Sequence, residues 1–119
     1  IEYAGANRPL WIIRDGQLLE FKPTKHAIGG TTALTQEFET QTIPVLKGDC
    51  IYLHSDGYAD QFGGEKGKKL MTRNFKDLLL AMSEKPMEHQ VKVLEASLGT
   101  WMGDFEQVDD ILVIGLRVQ

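Results

Sequence analysis

Two short acid-bearing stretches carry most of the chemistry this sequence can offer. The first is Tyr52-Leu53-His54-Ser55-Asp56-Gly57-Tyr58-Ala59-Asp60-Gln61. An apolar run ends, Asp56 stands at its mouth, Gly57 follows, and Asp60 comes four residues after Asp56. A helical turn beginning at Gly57 projects Asp56 and Asp60 to the same side. Hard divalent cations take oxygen ligands, and Mg²⁺ or Mn²⁺ commonly uses one or two carboxylates while keeping several waters. The second stretch, Trp101-Met102-Gly103-Asp104-Phe105-Glu106-Gln107-Val108-Asp109-Asp110-Ile111, sets adjacent acids ahead of an apolar strand. Like charges side by side repel, burial raises that cost, and a cation relieves both. Each stretch also has an ordinary reading: Asp56 as a helix cap, Asp60 as a solvated acid, Asp109 and Asp110 as turn acids left in water. Two acid-bearing strand ends in one small sheet favour the cation over either stretch alone.

Other candidates are weaker. Gly63-Gly64-Glu65-Lys66-Gly67-Lys68-Lys69 resembles a phosphate loop, but only three residues separate Gly63 from Gly67. A Walker loop needs four, and Lys69 stands where its hydroxyl residue belongs. The reading is a mobile basic surface loop, either a plain solvated turn or one able to attract an anionic phosphopeptide. His26, His54 and His89 share no metal-ligand spacing, and His54 reads as a packed side chain. Ser55 lacks the G-x-S-x-G setting of a nucleophile. Cys50, Trp11 and Trp101 read as core residues.

The elements that must position these acids divide into a β half and a helical half. Leu10–Arg14 and Gln17–Phe21, joined by Asp15-Gly16, predict a hairpin. Ile1–Ala4 predicts a short strand, and residues 23–40 an ordered loop with one strand near Phe38. Cys50–Ser55 predicts a strand covered on both faces, because Cys50–Leu53 is apolar throughout. Thr72 is the expected cap of a helix carrying Phe75, Leu78, Leu79 and Met82. Pro86 opens the next helix, with Met87, Val91, Leu94, Leu98 and Trp101 or Met102 at helical spacing and Gly103 closing it. Ile111–Val118 predicts a buried strand that returns to the earlier sheet, at a central place. Strands in a block followed by helices imply α+β with antiparallel pairing.

Composition sets the class. The chain has 119 residues, 42% apolar and 25% charged, which is one globular domain or part of one. It opens with Ile1 rather than Met, so a piece of a longer protein is expected. No apolar run approaches the ~20 residues of a membrane span, so direct membrane insertion is not expected. Net charge is -4, with 13 basic against 17 acidic residues, and nucleic acid is not an expected partner. A single cysteine excludes an internal disulfide and suits a reducing, cytoplasmic compartment.

Five short segments, taken in order, resemble one family. Tyr3-Ala4-Gly5-Ala6-Asn7-Arg8-Pro9-Leu10 resembles the Ala-Gly-X-Asn-X-Pro segment of bacterial type 2C metal-dependent protein serine/threonine phosphatases, in the SpoIIE-like and RsbU-like branch. Ile28-Gly29, Lys47-Gly48-Asp49, Ser55-Asp56-Gly57-Tyr58-Ala59-Asp60 and Asp109-Asp110-Ile111 resemble its later motifs. The resemblance implies a four-layer α-β-β-α sandwich of two antiparallel sheets with flanking helices. It implies removal of phosphate from phosphoserine or phosphothreonine in a regulatory protein, often a small anti-sigma-factor antagonist. Two Mn²⁺ or Mg²⁺ ions sharing a bridging water are implied, with Asp56, Gly57 and Asp109 at metal-binding positions, Asp56 and Asp109 as the catalytic acids. Asp60 matches an acid of an additional, weaker metal, and Asp110 is a supporting or substituting acid. The family's earlier Asp-X-X-Gly-His-Gly segment does not occur in this sequence. Residues 1–119 therefore resemble the carboxyl-terminal portion of the domain, expected alone to bind metal weakly and turn over little. The parent protein is expected to carry an amino-terminal sensor, placing this domain in the cytoplasm either free or below a membrane-bound sensor. Leu79, Val91 or uncovered strand edges are expected to support a homodimer. The competing expectation is a catalytically silent phosphatase-like module that binds a phosphoprotein or signalling partner.

Overall fold

The computed structural model describes residues 2–3, 9–22, 25–27, 36–38 and 41–119. Strands β1 (Glu2–Tyr3), β2 (Leu10–Arg14), β3 (Gln17–Phe21), β4 (Lys25–Ala27), β5 (Gln36–Phe38), β6 (Gln41–Thr42) and β7 (Cys50–His54) come first. Helix α1 (Gly57–Asp60), strands β8 (Phe62–Gly63) and β9 (Lys68–Lys69), helices α2 (Thr72–Met82) and α3 (Met87–Met102), and strand β10 (Val113–Arg117) follow. The main sheet has four strands in the order β10-β7-β2-β3. Its pairs are all antiparallel. The pairs β1–β6, β4–β5 and β8–β9 are antiparallel as well. The architecture is α+β, as the order of elements implies. The β2–β3 turn has positive φ at both Asp15 (50°) and Gly16 (77°). A two-residue hairpin turn matching the strand twist needs that pair of dihedrals.

Alternation along the strands gives the sheet two apolar faces. Trp11, Ile13, Cys50 and Tyr52 pack with Tyr58, Phe75, Leu79 and Met82 on the helical side. Leu10, Ile12 and Ile51 pack on the opposite face with Ile43, flanked by Leu19, Phe21, Val45 and Val118. Register sets Ile51 beside Leu116 and Leu53 beside Ile114, so that second apolar face continues onto β10. There it is open: Leu53, Ile114 and Leu116 are 40%, 49% and 48% exposed. A sheet apolar on both faces is an inner layer, with helices against one side and another sheet against the other.

Several expectations change. β7 is covered on both faces only as far as Tyr52, and β10 is an edge strand rather than a central one. An apolar β-branched run reads alike whether its outer face is already covered or belongs to another layer. Thr72 does not cap α2; Met71 holds that position at φ 82°, and no side chain caps the helix. The start is fixed instead by Met71 N–H donating to the Ala59 carbonyl at 2.8 Å. Pro86 is the residue before α3, and Gly103 ends that helix at φ 51°. Val91 is exposed, while the polar Gln90 is buried. Tyr52 Oη donates to Gln90 Oε1 at 2.5 Å, and Gln90 Nε2 donates to the Lys85 carbonyl at 2.8 Å. Burial pushes the Tyr52 hydroxyl well above its ordinary pKa, keeping it a donor. Leu79 is fully buried, so it offers nothing to a dimer. The Ala4–Arg8 and Ile28-Gly29 motif residues lie outside the described residues.

Arg14 and Asp49 lock the segment that enters β7. Arg14 Nε and Nη2 donate to the two Asp49 carboxylate oxygens at 2.9 and 2.7 Å, and Leu46 N–H adds a third bond at 2.8 Å. Asp49 is buried, so this bidentate pair replaces its lost water. The Arg14 hydrogen bonds hold its pKa below the usual carboxylate range against the opposing effect of burial. We expect Asp49→Asn to cost about 2–3 kcal/mol at pH 7 in urea unfolding, by leaving Arg14 without its counter-charge. The folded pKa lies below the unfolded value of about 3.9, so the stabilisation is complete above that value. It fades as pH falls through the folded pKa, and the gap between wild type and Asp49→Asn should narrow below about pH 4.

Candidate functional site

The two acid-bearing turns meet at one end of the main sheet. β7 ends at His54, paired with Val113 at the start of β10, so the residues after one and before the other are neighbours. Ser55 joins them. Its N–H donates to the Leu112 carbonyl at 2.9 Å, its Oγ donates to the Asp110 carbonyl at 2.8 Å, and the same Oγ accepts from Leu112 N–H at 2.9 Å. Gly57 completes the join. A Cβ on Gly57 would stand 2.1 Å from the Asp110 carbonyl oxygen, a distance no side chain tolerates. Glycine is therefore required by close approach here, not by an unusual φ.

Helix α1 is anchored from behind. Tyr58 stacks on Phe75 with centroids 4.6 Å apart, and its Oη donates to the Leu94 carbonyl at 2.8 Å. Burial pushes its pKa up to about 12. Gln61, fully buried, donates from Nε2 to the Glu106 carbonyl at 2.9 Å, tying α1 to the segment that leads to Asp109. Trp101 Nε1 donates to the Gln61 carbonyl at 2.8 Å. His54 is packed rather than offered to the site, its ring 4.0 Å from that of Trp11. Cys50 and Trp11 are buried, as their types suggest, and Trp101 is half-buried.

Asp56 is exposed at the position preceding α1 and makes no side-chain capping bond to that helix. Asp60 N–H donates to the Asp56 carbonyl at 2.9 Å, so one helical turn separates these acids. Asp60 Oδ1 lies 3.9 Å from Lys69 Nζ. Asp109 Oδ1 accepts from Asp110 N–H at 2.7 Å, and both acids are exposed. The structure thus brings Asp56 and Gly57 against the turn of Asp109 and Asp110, while Asp60 is drawn to the basic strand β9. Ser55, Tyr58 and Gln61 carry the arrangement, and none is marked by a spacing rule. The nearest sequence signal is Ser55's place directly before Asp-Gly.

Among the described residues, the acids at this junction, Asp56, Asp109 and Asp110, offer oxygen ligands, which suit Mg²⁺ or Mn²⁺. Two carboxylate-bearing turns held in backbone contact fit an ion that keeps most of its water. Among the described residues, no three His, Cys, Asp or Glu side chains converge closely enough to hold a metal. The fit therefore covers the two turns and water. We expect Ser55→Ala to cost about 1–2 kcal/mol in chemical unfolding, since the Asp110 carbonyl and Leu112 N–H each lose a partner. Gly57→Ala should be worse than Ser55→Ala, because backbone must move to admit the methyl group.

The sequence matches the family described as Stage II sporulation protein E (SpoIIE) over residues 1–119. Among solved structures it is similar to the SiaA-PP2C domain of Pseudomonas aeruginosa, at 30% identity and a TM-score of 0.82, covering 99% of this chain and 46% of that one. It shares the fold of the phosphatase domain of the cell fate determinant SpoIIE from Bacillus subtilis, at 20% identity and a TM-score of 0.59, covering 98% of this chain and 48% of that one. The chain spans less than half the length of either solved chain. No curated protein matches it. Among the described residues, no helix is long and apolar enough to cross a membrane.

Proposed function

The chain belongs to the SpoIIE family, and on that premise we propose that it carries part of the active centre of a metal-dependent protein serine/threonine phosphatase. The observation that carries the reading is the junction itself. Ser55 and Gly57 hold an Asp-Gly turn against an Asp-Asp turn across more than fifty residues of chain. Asp56 and Asp109 would hold the ion, Asp110 would support it, and Asp60 would hold a further, weaker one. When bound, Mg²⁺ or Mn²⁺ supplies an acidified water and neutralises charge on the transferring phosphoryl group. The chain's own part is to fix where the carboxylates stand. Tyr58 and Gln61 hold α1, Ser55 holds the approach to β10, and so the acids need little reordering when an ion arrives. The substrate in this reading is phosphoserine or phosphothreonine in a regulatory protein of the anti-sigma-factor-antagonist kind, dephosphorylated in the cytoplasm.

The test is Mn²⁺-dependent release of phosphate from a phosphoserine peptide by the full-length protein. Chelation should abolish turnover and added Mn²⁺ restore it. Asp56→Asn and Asp109→Asn should each lower kcat/KM by at least about 100-fold, since each removes charge from the ion's shell. Asp104→Asn, exposed and outside the junction, should change it less than about twofold. Metal-independent turnover, or full activity in both Asp56→Asn and Asp109→Asn, would overturn the reading.

A further inference from the structure

We infer that the β8–β9 hairpin is a docking lip for an acidic, phosphorylated segment of a protein substrate, with Lys66 and Lys68 as its contact residues. This rests on the phosphatase reading and adds the charge of the substrate to it. The chain is acidic overall, yet three of its 13 basic residues, Lys66, Lys68 and Lys69, fall within four positions. β8 leaves α1 with only Gln61 between Asp60 and Phe62, so the lip opens directly off the acid-bearing turn.

The hairpin is held in place. Leu70 N–H donates to the Gln61 carbonyl at 3.0 Å, and Gly64 N–H donates to the Trp101 carbonyl at 2.9 Å. A Cβ on Gly63 would stand 2.0 Å from that same carbonyl oxygen, so the strand lies against the end of α3. Gly64 and Gly67 turn the chain at φ 72° and 59°. Lysines on such a hairpin are presented at a set place, which reduces the entropy lost when they engage a ligand.

The three lysines are not equivalent. Lys69 is already directed at Asp60, 3.9 Å away. Lys66 and Lys68 are exposed, and among the described residues neither has a carboxylate within ion-pair distance. Both line a hollow of about 320 Å³ with Glu65 and Trp101. Two uncompensated cations against one carboxylate, with an indole as the apolar wall, suit an extended anionic peptide. Exposed charges of this kind act on encounter and orientation. Their expected effect is on KM and discrimination between substrates, not on the chemical step.

The test uses the full-length protein and two fluorescein-labelled phosphoserine peptides of equal length. One is flanked by Asp and Glu, the other by Ser and Gly. Binding is read by fluorescence anisotropy at low salt in buffer without divalent ions. Wild type should prefer the acidic peptide by about tenfold, Lys66→Glu/Lys68→Glu should bring the ratio to about one, and Lys66→Arg/Lys68→Arg should keep it. A wild-type ratio near one, or a ratio unchanged by charge reversal, would overturn the inference. So would equally tight binding of a single-stranded oligonucleotide of the same charge. Hydrolysis of p-nitrophenyl phosphate by the same protein, assayed separately with Mn²⁺ added, separates the two claims. Turnover with a ratio near one sinks the docking lip alone, whereas a lysine-dependent ratio without turnover sinks the phosphatase reading and leaves the lip standing.

Discussion

Gly57 has no room for a side chain, and much of the candidate site depends on that. The Asp110 carbonyl oxygen occupies the space a Cβ would need. This contact joins two pieces of chain that the sequence keeps far apart. Ser55, two residues earlier, braces it by bonding both the Asp110 carbonyl and the Leu112 N–H. The β7–β10 pairing brings the strands side by side. The serine and the glycine then decide how closely the loops beyond the sheet approach. The two acid-bearing turns are thereby held in backbone contact.

Behind the junction, the polar interior does the positioning and the apolar interior supplies the stability. Trp11, Phe75, Leu79 and Met82 close the helical face of the sheet. Burying such side chains contributes about 1.5–3 kcal/mol each before entropy is subtracted. Within that packing the Gln61 amide nitrogen reaches the Glu106 carbonyl, while Gln90 accepts from Tyr52 Oη and donates to the Lys85 carbonyl, so each ties together separate elements. Buried amide bonds of this kind tolerate few alternative arrangements. That is how a four-residue helix, too short to be stable by itself, keeps a defined place next to the acids.

The fold was legible in the sequence where local chemistry alone decides. Asp15-Gly16 named its turn, Gly103 ended its helix, and the strands-then-helices order named the class. The order of strands was not legible, because Ile111–Val118 reads as a central strand whether or not a second layer covers it. Val91 and Gln90 show the same limit: helical spacing offered Val91 to the core, yet the buried hydroxyl of Tyr52 required a polar partner, and Gln90 supplied it. At the site, the acidic pairs were visible because carboxylates at strand ends are conspicuous. Ser55 lacks the sequence setting of a nucleophile, and its bracing role depends on a partner fifty-five residues away. Asp60 illustrates the converse: its spacing from Asp56 is helical as expected, but spacing says nothing of the lysine across from it.

In the reading proposed above, the turns of Asp56 and Asp109 form one cation site and not two solvated loops. Paramagnetic broadening by Mn²⁺ tests it without reference to turnover. Mn²⁺ added in small fractions to the isotopically labelled 119-residue chain should broaden the amide signals of Asp56, Gly57, Asp109 and Asp110 together, at the same metal concentration. Asp56→Asn should weaken the broadening at Asp109 and Asp110 as well as its own. Broadening confined to one turn, or centred on acids elsewhere such as Glu84 or Glu95, would contradict the account.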